Sequence, residues 1–265
     1  MAKFTCKAID GTQQVEGTGD IQMVMLVRRS TEYFTEFIER EAKAKGLKLV
    51  VNGSFINLSH ATKIAVYMSG SARDASESTP NGEVIQEGKL LGGIESPGKF
   101  NFSQNTCGTQ KFSAGMGNPP QSSCSAIGGI APILVDGFPY GAQNVYKAGV
   151  PAGAPLTGDV DAKFKPFLTQ KSNAMFNIVL GLGDTGGKTA VGYSTAMQKL
   201  LVIVQQDGAP GRDANDFRTM FANRRADNAV FLDCSDSATL YYDGKFLVKP
   251  GSHKNEYLTV AVGFK

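Results

Sequence analysis

The segment from Asp227 to Gly244 places a carboxylate at the end of an apolar strand and follows it with a turn of small polar residues. The apolar run Ala229–Leu232 predicts a buried strand, so Asp233 lies at its carboxyl end, on a rigid element but facing a loop. The short side chains that follow leave backbone N–H groups open to an anion. Asp243-Gly244 is the signal of a hairpin turn, so strands hold the polar turn from both sides.

Two amphipathic helices are predicted at residues 31–45 and 214–225, because each presents a stripe of apolar side chains at helical spacing. The predicted capping residues are Ser30 or Thr31 for the first helix and Asp213 for the second, with Gly46 closing the first helix at its C′ position. Strands dominate the rest of the regular structure.

Short apolar runs between turn signals predict these strands. The runs are Leu47–Val51, Pro132–Val135, Met175–Leu180, Thr189–Ser194, Lys199–Gln205, Thr239–Tyr242 and Lys245–Val248. Together they predict an α+β fold: a single domain over residues 1–265 with an extensive mixed or antiparallel sheet flanked by the two helices. The Gly-, Ser- and Pro-rich segments 96–121 and 149–158 predict surface loops and hairpins that shape the rim of a pocket.

The charge balance argues against an extended nucleic-acid partner. The chain has 27 basic and 24 acidic residues, a formal net charge of +3, and no Lys/Arg run longer than a pair. A small anionic ligand is compatible with this balance. The oligomeric state leaves no signal in the sequence.

The N-terminal segment and the cysteines predict a cytoplasmic protein without a membrane span. No apolar run is long enough to cross a membrane, and the first residues lack the apolar core of an export signal. The four cysteines contain no C-x-x-C pair, which argues against structural zinc. Four thiols could form two disulfides, but a chain of this length does not need them and the first residues do not resemble an export signal, so we expect all four to be reduced.

The segment Gly181–Thr189, GLGDTGGKT, resembles two nucleotide-binding motifs without matching either in context. The phosphate-binding loop of NTPases has four residues between its two glycines, so Leu182 stands where the first glycine should be, and the loop must open a helix, whereas the residues after Lys188 favour a strand. The spacing G-x-G-x-x-G is present, and Asp207 follows it at about the sequence separation of the carboxylate that binds the ribose in dinucleotide-binding proteins. A dinucleotide-binding unit, however, also needs a crossover helix. A β-hairpin over Thr189–Gln206 is the preferred interpretation, and a dinucleotide-binding oxidoreductase remains an alternative.

Four segments, in this order, resemble the phosphodiester glycosidase family. They are Leu49–Phe55 with its N-G-G-F-like turn, Ala126–Gly137, the hairpin from Lys188 to Gly208 that begins K-T-A-V-G, and Ala229–Leu240. Lys188 stands where the family usually has arginine, which keeps the charge but loses the bidentate fork. Cys234-Ser235-Asp236 replaces three glycines, which adds β-carbons and a negative charge to the turn.

The resemblance implies a hydrolase that cleaves the glycosidic bond to phosphate in a sugar 1-phosphodiester or a nucleotide-like glycosyl phosphate. Such a site needs a carboxylate that activates water or stabilises an oxocarbenium-like centre. We predict Asp233 in this role, with Asp207 or Asp236 as a second catalytic carboxylate. No cofactor is required, although these three carboxylates are also candidates to hold a divalent cation.

Substrate binding is expected from polar groups at the neighbouring strand ends. The predicted binding residues are Asn52 and Gly53 for the sugar, and Lys188, Thr189, Ser237 and Thr239 for the phosphate. A second hypothesis is that the altered glycine turn has abolished turnover. The chain would then bind or sequester a phosphorylated sugar or nucleotide.

Overall fold

The computed structural model describes residues 1–28, 32–55, 80–94, 100–139 and 178–265. In chain order, the strands are β1 (Lys3–Ile9), β2 (Thr12–Thr18), β3 (Met23–Val27), β4 (Leu49–Asn52), β5 (Val84–Gln86), β6 (Lys89–Gly92), β7 (Phe100–Gln104), β8 (Phe112–Met116), β9 (Ser125–Val135), β10 (Phe138–Pro139), β11 (Lys188–Ser194), β12 (Lys199–Gln205), β13 (Asn228–Phe231), β14 (Leu240–Tyr242), β15 (Lys245–Val248) and β16 (Val260–Phe264). The helices are α1 (Phe34–Lys45), α2 (Ala214–Asn223) and α3 (Ser252–Tyr257), and a 3₁₀ turn covers Ser235–Ser237.

Eleven of the described strands form one large sheet in the order β1-β2-β12-β11-β13-β9-β5-β6, with β7, β8 and β10 attached beside β9. At its centre, all eleven residues of β9 are buried, which explains its near-continuous apolar sequence. Every strand pair in the described part is antiparallel, so the sheet is the antiparallel form of the two that were predicted. The predicted α+β class is confirmed.

The smaller sheet, in the order β15-β14-β4-β16-β3, lies between the larger sheet and α1. Alternate residues of its strands face opposite sides, as the pleat requires. In β3, Met23 and Met25 join the core shared with the larger sheet, whereas Val24 and Leu26 join a second core under α1. The result is a layered structure that buries the smaller sheet on both faces.

Helix α1 packs its apolar stripe on the smaller sheet through Phe34, Phe37, Ile38 and Ala42. The predicted end at Gly46 is confirmed, because this glycine adopts the left-handed conformation with φ 64°. Tyr33 occupies the N-cap position, and the predicted caps Ser30 and Thr31 lie outside the described residues.

The other predictions for regular structure agree in most places. The cap at Asp213 is confirmed, because its side chain accepts a hydrogen bond from the Asp216 N–H. The predicted strands appear within about two residues of β4, β11, β12, β13, β14 and β15, and inside β9. The strand predicted at 175–180 is wrong over residues 178–180, because these residues are helical. Its first three residues lie outside the described part of the chain. The predicted loop at 149–158 lies outside it as well.

The segment 96–121 contributes to the core rather than only to the surface. Its described residues include strands β7 and β8, which pair with each other and, through β7, with β9. Phe100, Phe102 and Phe112 are buried there, so aromatic packing outweighs the loop-like composition of this segment.

The prediction that all cysteines are reduced is wrong, because Cys107 and Cys124 form a disulfide. They are separated by 17 positions in sequence, but the pairing of β7 with β9, which sets Gln104 opposite Ser125, brings the loop that carries Cys107 to the start of β9. Cys6 and Cys234 are free. The cytoplasmic location stays a prediction.

None of the helices in the described ranges has the length and apolar character needed to span a membrane.

The layered arrangement predicts that Phe37→Ala lowers the free energy of unfolding by about 3–5 kcal/mol, because a fully buried ring under α1 is removed. Chemical denaturation measures this change. The control Lys43→Ala alters an exposed side chain on the same helix and should shift stability by less than about 0.5 kcal/mol. Equal effects of the two substitutions would contradict the packing of α1 on the smaller sheet.

Candidate functional site

The site is organised around the side-chain amide of Asn52, the last residue of β4, which is fully buried between the two sheets. Its Nδ2 donates to the backbone carbonyl of Asp233 at 2.7 Å. Its Oδ1 accepts from Thr189 Oγ at 2.7 Å and from the Thr239 N–H at 3.0 Å. We call Asn52, Thr189, Asp233 and Thr239 the Asn52 junction. One amide thereby joins the end of a strand in each sheet to the turn between them.

The residues after Asn52 bring the backbone of β4 against the carboxylate turn. The Gly53 carbonyl accepts a hydrogen bond from the Asp233 N–H at 2.8 Å. A side chain at Gly53 would lie 2.5 Å from Val260 Cγ1, so the close approach of β16 requires glycine. Ser54 is also buried, and within the described ranges its hydroxyl has no hydrogen-bond partner.

Asp233 is the buried carboxylate of the site, with only 6% of its surface exposed. Its Oδ1 accepts from the Cys234 N–H at 3.0 Å and its Oδ2 from Ser237 Oγ at 2.7 Å. Burial raises its pKa from the usual 3.8 to about 6, against the opposing effects of Lys254 and of these two hydrogen bonds. The carboxyl group therefore titrates closer to neutral pH than an ordinary aspartate.

The 3₁₀ turn after Asp233 is held by its own backbone and by the glycine loop, residues Gly181–Gly187. The Ser235 N–H donates to the Gly187 carbonyl at 2.7 Å, and Ser235 has φ 61°, a left-handed conformation that glycine adopts without strain. Cys234 is buried, with Sγ 3.3 Å from the Leu232 carbonyl. Burial raises the pKa of this thiol to about 12, so it is not a nucleophile at neutral pH.

Lys188 and Asp207 support the glycine loop. The fully buried Lys188 ammonium donates to the carbonyls of Gly183 and Gly186, both at 2.7 Å, and burial lowers its pKa. Asp207 Oδ1 accepts from the Gly187 N–H at 2.6 Å. In this arrangement both charged side chains are bound to the loop backbone.

Strands β11 and β12, which follow the glycine loop, form a direct antiparallel hairpin from Lys188↔Gln205 to Ser194↔Lys199. A dinucleotide-binding unit needs two parallel strands joined by a helix. The predicted hairpin is confirmed, and it is incompatible with the oxidoreductase alternative at this motif.

Helix α3 adds two residues that the sequence did not indicate as site residues, Lys254 and Tyr257. The Gly251 N–H donates to the Asp236 carbonyl at 2.7 Å, so α3 starts against the 3₁₀ turn. Lys254 Nζ lies 3.7 Å from Asp236 Oδ1 and 5.2 Å from the centre of the Tyr257 ring. Burial disfavours the lysine charge, but Asp233, Tyr257 and Asp236 outweigh it, so the pKa of Lys254 lies above its usual value. No motif marks this six-residue helix, and only its three-dimensional position reveals it.

The structure thus brings most of the predicted residues together. Asn52, Gly53, Thr189, Asp233, Ser237 and Thr239 form one hydrogen-bonded cluster. Asp236 lies on the α3 side of this cluster, and Lys188 and Asp207 lie on the glycine-loop side. Their roles in catalysis and binding stay predictions.

The described residues contain no group of three or more His, Cys, Asp or Glu side chains placed to hold a metal ion. Asp207, Asp233 and Asp236 are therefore not assembled into one cation-sized group. Two surface cavities, of about 510 Å³ beside Lys48 and about 220 Å³ beside Lys7, are lined by none of the predicted site residues.

Comparison with known proteins gives a family match over most of the chain. The family model described as phosphodiester glycosidase matches residues 45–265. The search of curated protein sequences found no match.

Two solved structures share the fold at low sequence identity. One is the catalytic domain of the zebrafish N-acetylglucosamine-1-phosphodiester alpha-N-acetylglucosaminidase, auto-inhibited by its pro-peptide. Its sequence is 14% identical, the TM-score is 0.56, and the match covers 99% of this chain and 82% of that chain. A putative exported protein from Burkholderia pseudomallei K96243 is 11% identical with a TM-score of 0.55, over 96% and 73%.

The geometry of the junction predicts that Asn52→Ala lowers the free energy of unfolding by about 3 kcal/mol or more, because a buried carbonyl, hydroxyl and N–H lose their common partner. Thermal and urea unfolding measure the change. The matched control is Asn228→Ala: this buried asparagine accepts one hydrogen bond, from the Asp136 N–H, and its loss should cost about 1 kcal/mol. A cost for Asn52→Ala no larger than that of the control would argue against the junction.

Proposed function

The chain belongs to the phosphodiester glycosidase family, and from that premise we propose that it is a hydrolase acting on a sugar linked to phosphate through its anomeric oxygen. The substrate class is a sugar 1-phosphodiester or a nucleotide-like glycosyl phosphate. The observation that carries the proposal is the buried Asp233 carboxylate, whose pKa of about 6 suits proton transfer at the turn where the two sheets meet.

Hydrolysis at this site breaks the bond between the anomeric carbon and the phosphate oxygen, and the bonding electrons leave with the phosphate monoester. This leaving group is already stable as an anion, so strong general-acid assistance is not needed. The oxygen of a water molecule forms the new bond to the anomeric carbon, and its proton passes to Asp233. Asp233 also stabilises positive charge that develops on the sugar ring.

The surrounding residues fix the position of Asp233. Asn52 fixes the Asp233 carbonyl, Gly53 fixes its N–H, and Ser237 orients one carboxylate oxygen. The buried hydroxyl of Ser54, on the same turn as Asn52, is suited to bind a sugar hydroxyl. Asp207 contributes indirectly, because it braces the glycine loop that contacts the 3₁₀ turn.

A binding protein without turnover is the second candidate function. It is favoured by the replacement of the glycine turn, where Asp236 adds a negative charge and Ser235 holds a left-handed conformation. Retention of an unchanged sugar phosphodiester would support this candidate. The location stays a proposal for either function: the sequence predicts the cytoplasm, whereas a disulfide such as Cys107–Cys124 is typical of an oxidising compartment.

We expect wild-type protein to cleave members of a panel of sugar phosphodiesters and nucleotide-linked sugars, and Asp233→Asn to lower the rate by about 100-fold or more. Because the carboxylate must be ionised to accept a proton, kcat/KM should fall as the pH decreases through about 6. Mass spectrometry of the products and a pH–rate profile measure both effects.

The control for this experiment is Asp136→Asn, which neutralises an exposed turn carboxylate and should leave the rate unchanged. Product formation by Asp233→Asn at the wild-type rate would remove Asp233 from the catalytic role. Tight retention of intact substrate by the wild type, without products, would favour the binding protein.

A further inference from the structure

A site for a phosphodiester needs a positive group for the phosphate, and the sequence points to Lys188 for this purpose. In the structure, however, the Lys188 ammonium is fully buried and donates to two carbonyls of the glycine loop. An ammonium has three donors, so two are already used to shape the loop. A phosphate at Lys188 would have to displace these backbone contacts.

Lys254 is differently placed, because it is close to the carboxylates without being enclosed. Its side chain is 16% exposed, and its Nζ lies 3.7 Å from Asp236 Oδ1, an ion-pair distance longer than a normal hydrogen bond. The partner carboxylate is 38% exposed, so the pair lies at the edge of the site where a ligand can approach. The negative field of Asp233 and Asp236 keeps the lysine protonated.

The helix that carries Lys254 is fixed from the opposite side by Arg28. The buried guanidinium donates to the Glu256 carbonyl at 2.6 Å and to the Asn255 carbonyl at 3.4 Å. The Asn255 side chain also accepts from the Thr35 N–H of α1 at 2.9 Å. Six residues are too few for a stable isolated helix, so these contacts determine where Lys254 lies.

We propose that Lys254 is the cation that binds the phosphate of the substrate, with Asp236 holding its ammonium in place beside Asp233. This assignment rests on the proposed function and adds a binding residue to it. Asp236 stands at a position where the family usually has glycine, and it then acts as a positioning residue for Lys254. The phosphate contacts Lys254 while the sugar lies over Asp233, so the bond to be cleaved spans the two groups.

The test compares Lys254→Met and Lys254→Arg in the full chain. Calorimetric titration with inorganic phosphate and with an uncleaved sugar phosphonate measures binding independently of turnover. We expect Lys254→Met to weaken both ligands by about tenfold or more, and Lys254→Arg to retain most of the affinity, because its charge still pairs with a phosphate oxygen. The control Lys249→Met removes a nearby exposed charge and should leave affinity unchanged.

In hydrolysis assays, Lys254→Met should raise KM more than it lowers kcat, which a general loss of structure would not produce. Unchanged phosphate affinity in Lys254→Met would overturn the assignment, even if the wild type hydrolyses sugar phosphodiesters. Absence of phosphate binding by the wild type would overturn it as well. Lys254-dependent phosphate binding without hydrolysis would support the assignment and contradict the proposed hydrolase.

Discussion

The side-chain amide of Asn52 is the interaction on which the rest of the site depends. Asn52 ends a strand of the smaller sheet, yet its hydrogen bonds reach Thr189 of the larger sheet and the turn that starts at Asp233. Elsewhere the two sheets meet through apolar packing, which is non-directional, and through hydrogen bonds between β3 and Gln86, Gln104 and Ser125 of the larger sheet. At the site itself, the buried amide with its three hydrogen bonds fixes the position of the carboxylate turn.

Fixing the turn in this way has an electrostatic consequence for Asp233. The carboxylate is buried deeply enough for its pKa to rise, but it still receives hydrogen bonds from Ser237 and the Cys234 N–H. These donors and the charge of Lys254 favour the ionised form, whereas burial and Asp236 favour the protonated form. The balance leaves a group that can exchange a proton near neutral pH.

The parts of the fold that the sequence predicts well depend on local signals. The Asp213 cap, the Gly46 end of α1 and the turn at Asp243-Gly244 are set by residues within a few positions of one another. The hairpin of β1 and β2 has the same kind of signal at Asp10-Gly11, where both residues have positive φ. Polar and apolar residues also alternate over Lys3–Ala8, so local sequence indicates a strand here too, although β1 is a largely exposed edge strand that the predictions above omit.

The features that the sequence did not predict depend on distant contacts. Lys188 carries the positive charge expected of a residue that binds phosphate. Its hydrogen-bond partners, however, depend on the conformation of the glycine loop, whose carbonyls it contacts. Lys254 belongs to a short helix whose position depends on Arg28, more than 200 residues away in sequence. The Cys107–Cys124 disulfide likewise requires the pairing of β7 with β9. The sequence indicates Asn52 and Asp233 as site residues because each stands at the end of an apolar strand. The hydrogen bond between them forms only when the two sheets come together.

The most direct test of this account is a titration of the Asp233 carboxyl carbon by ¹³C NMR, assigned by its loss in Asp233→Asn. The account predicts a midpoint near pH 6, because the junction holds the carboxylate out of water. A midpoint near the usual value of 3.8 would show that burial does not dominate the titration of this carboxyl group, and it would contradict the account.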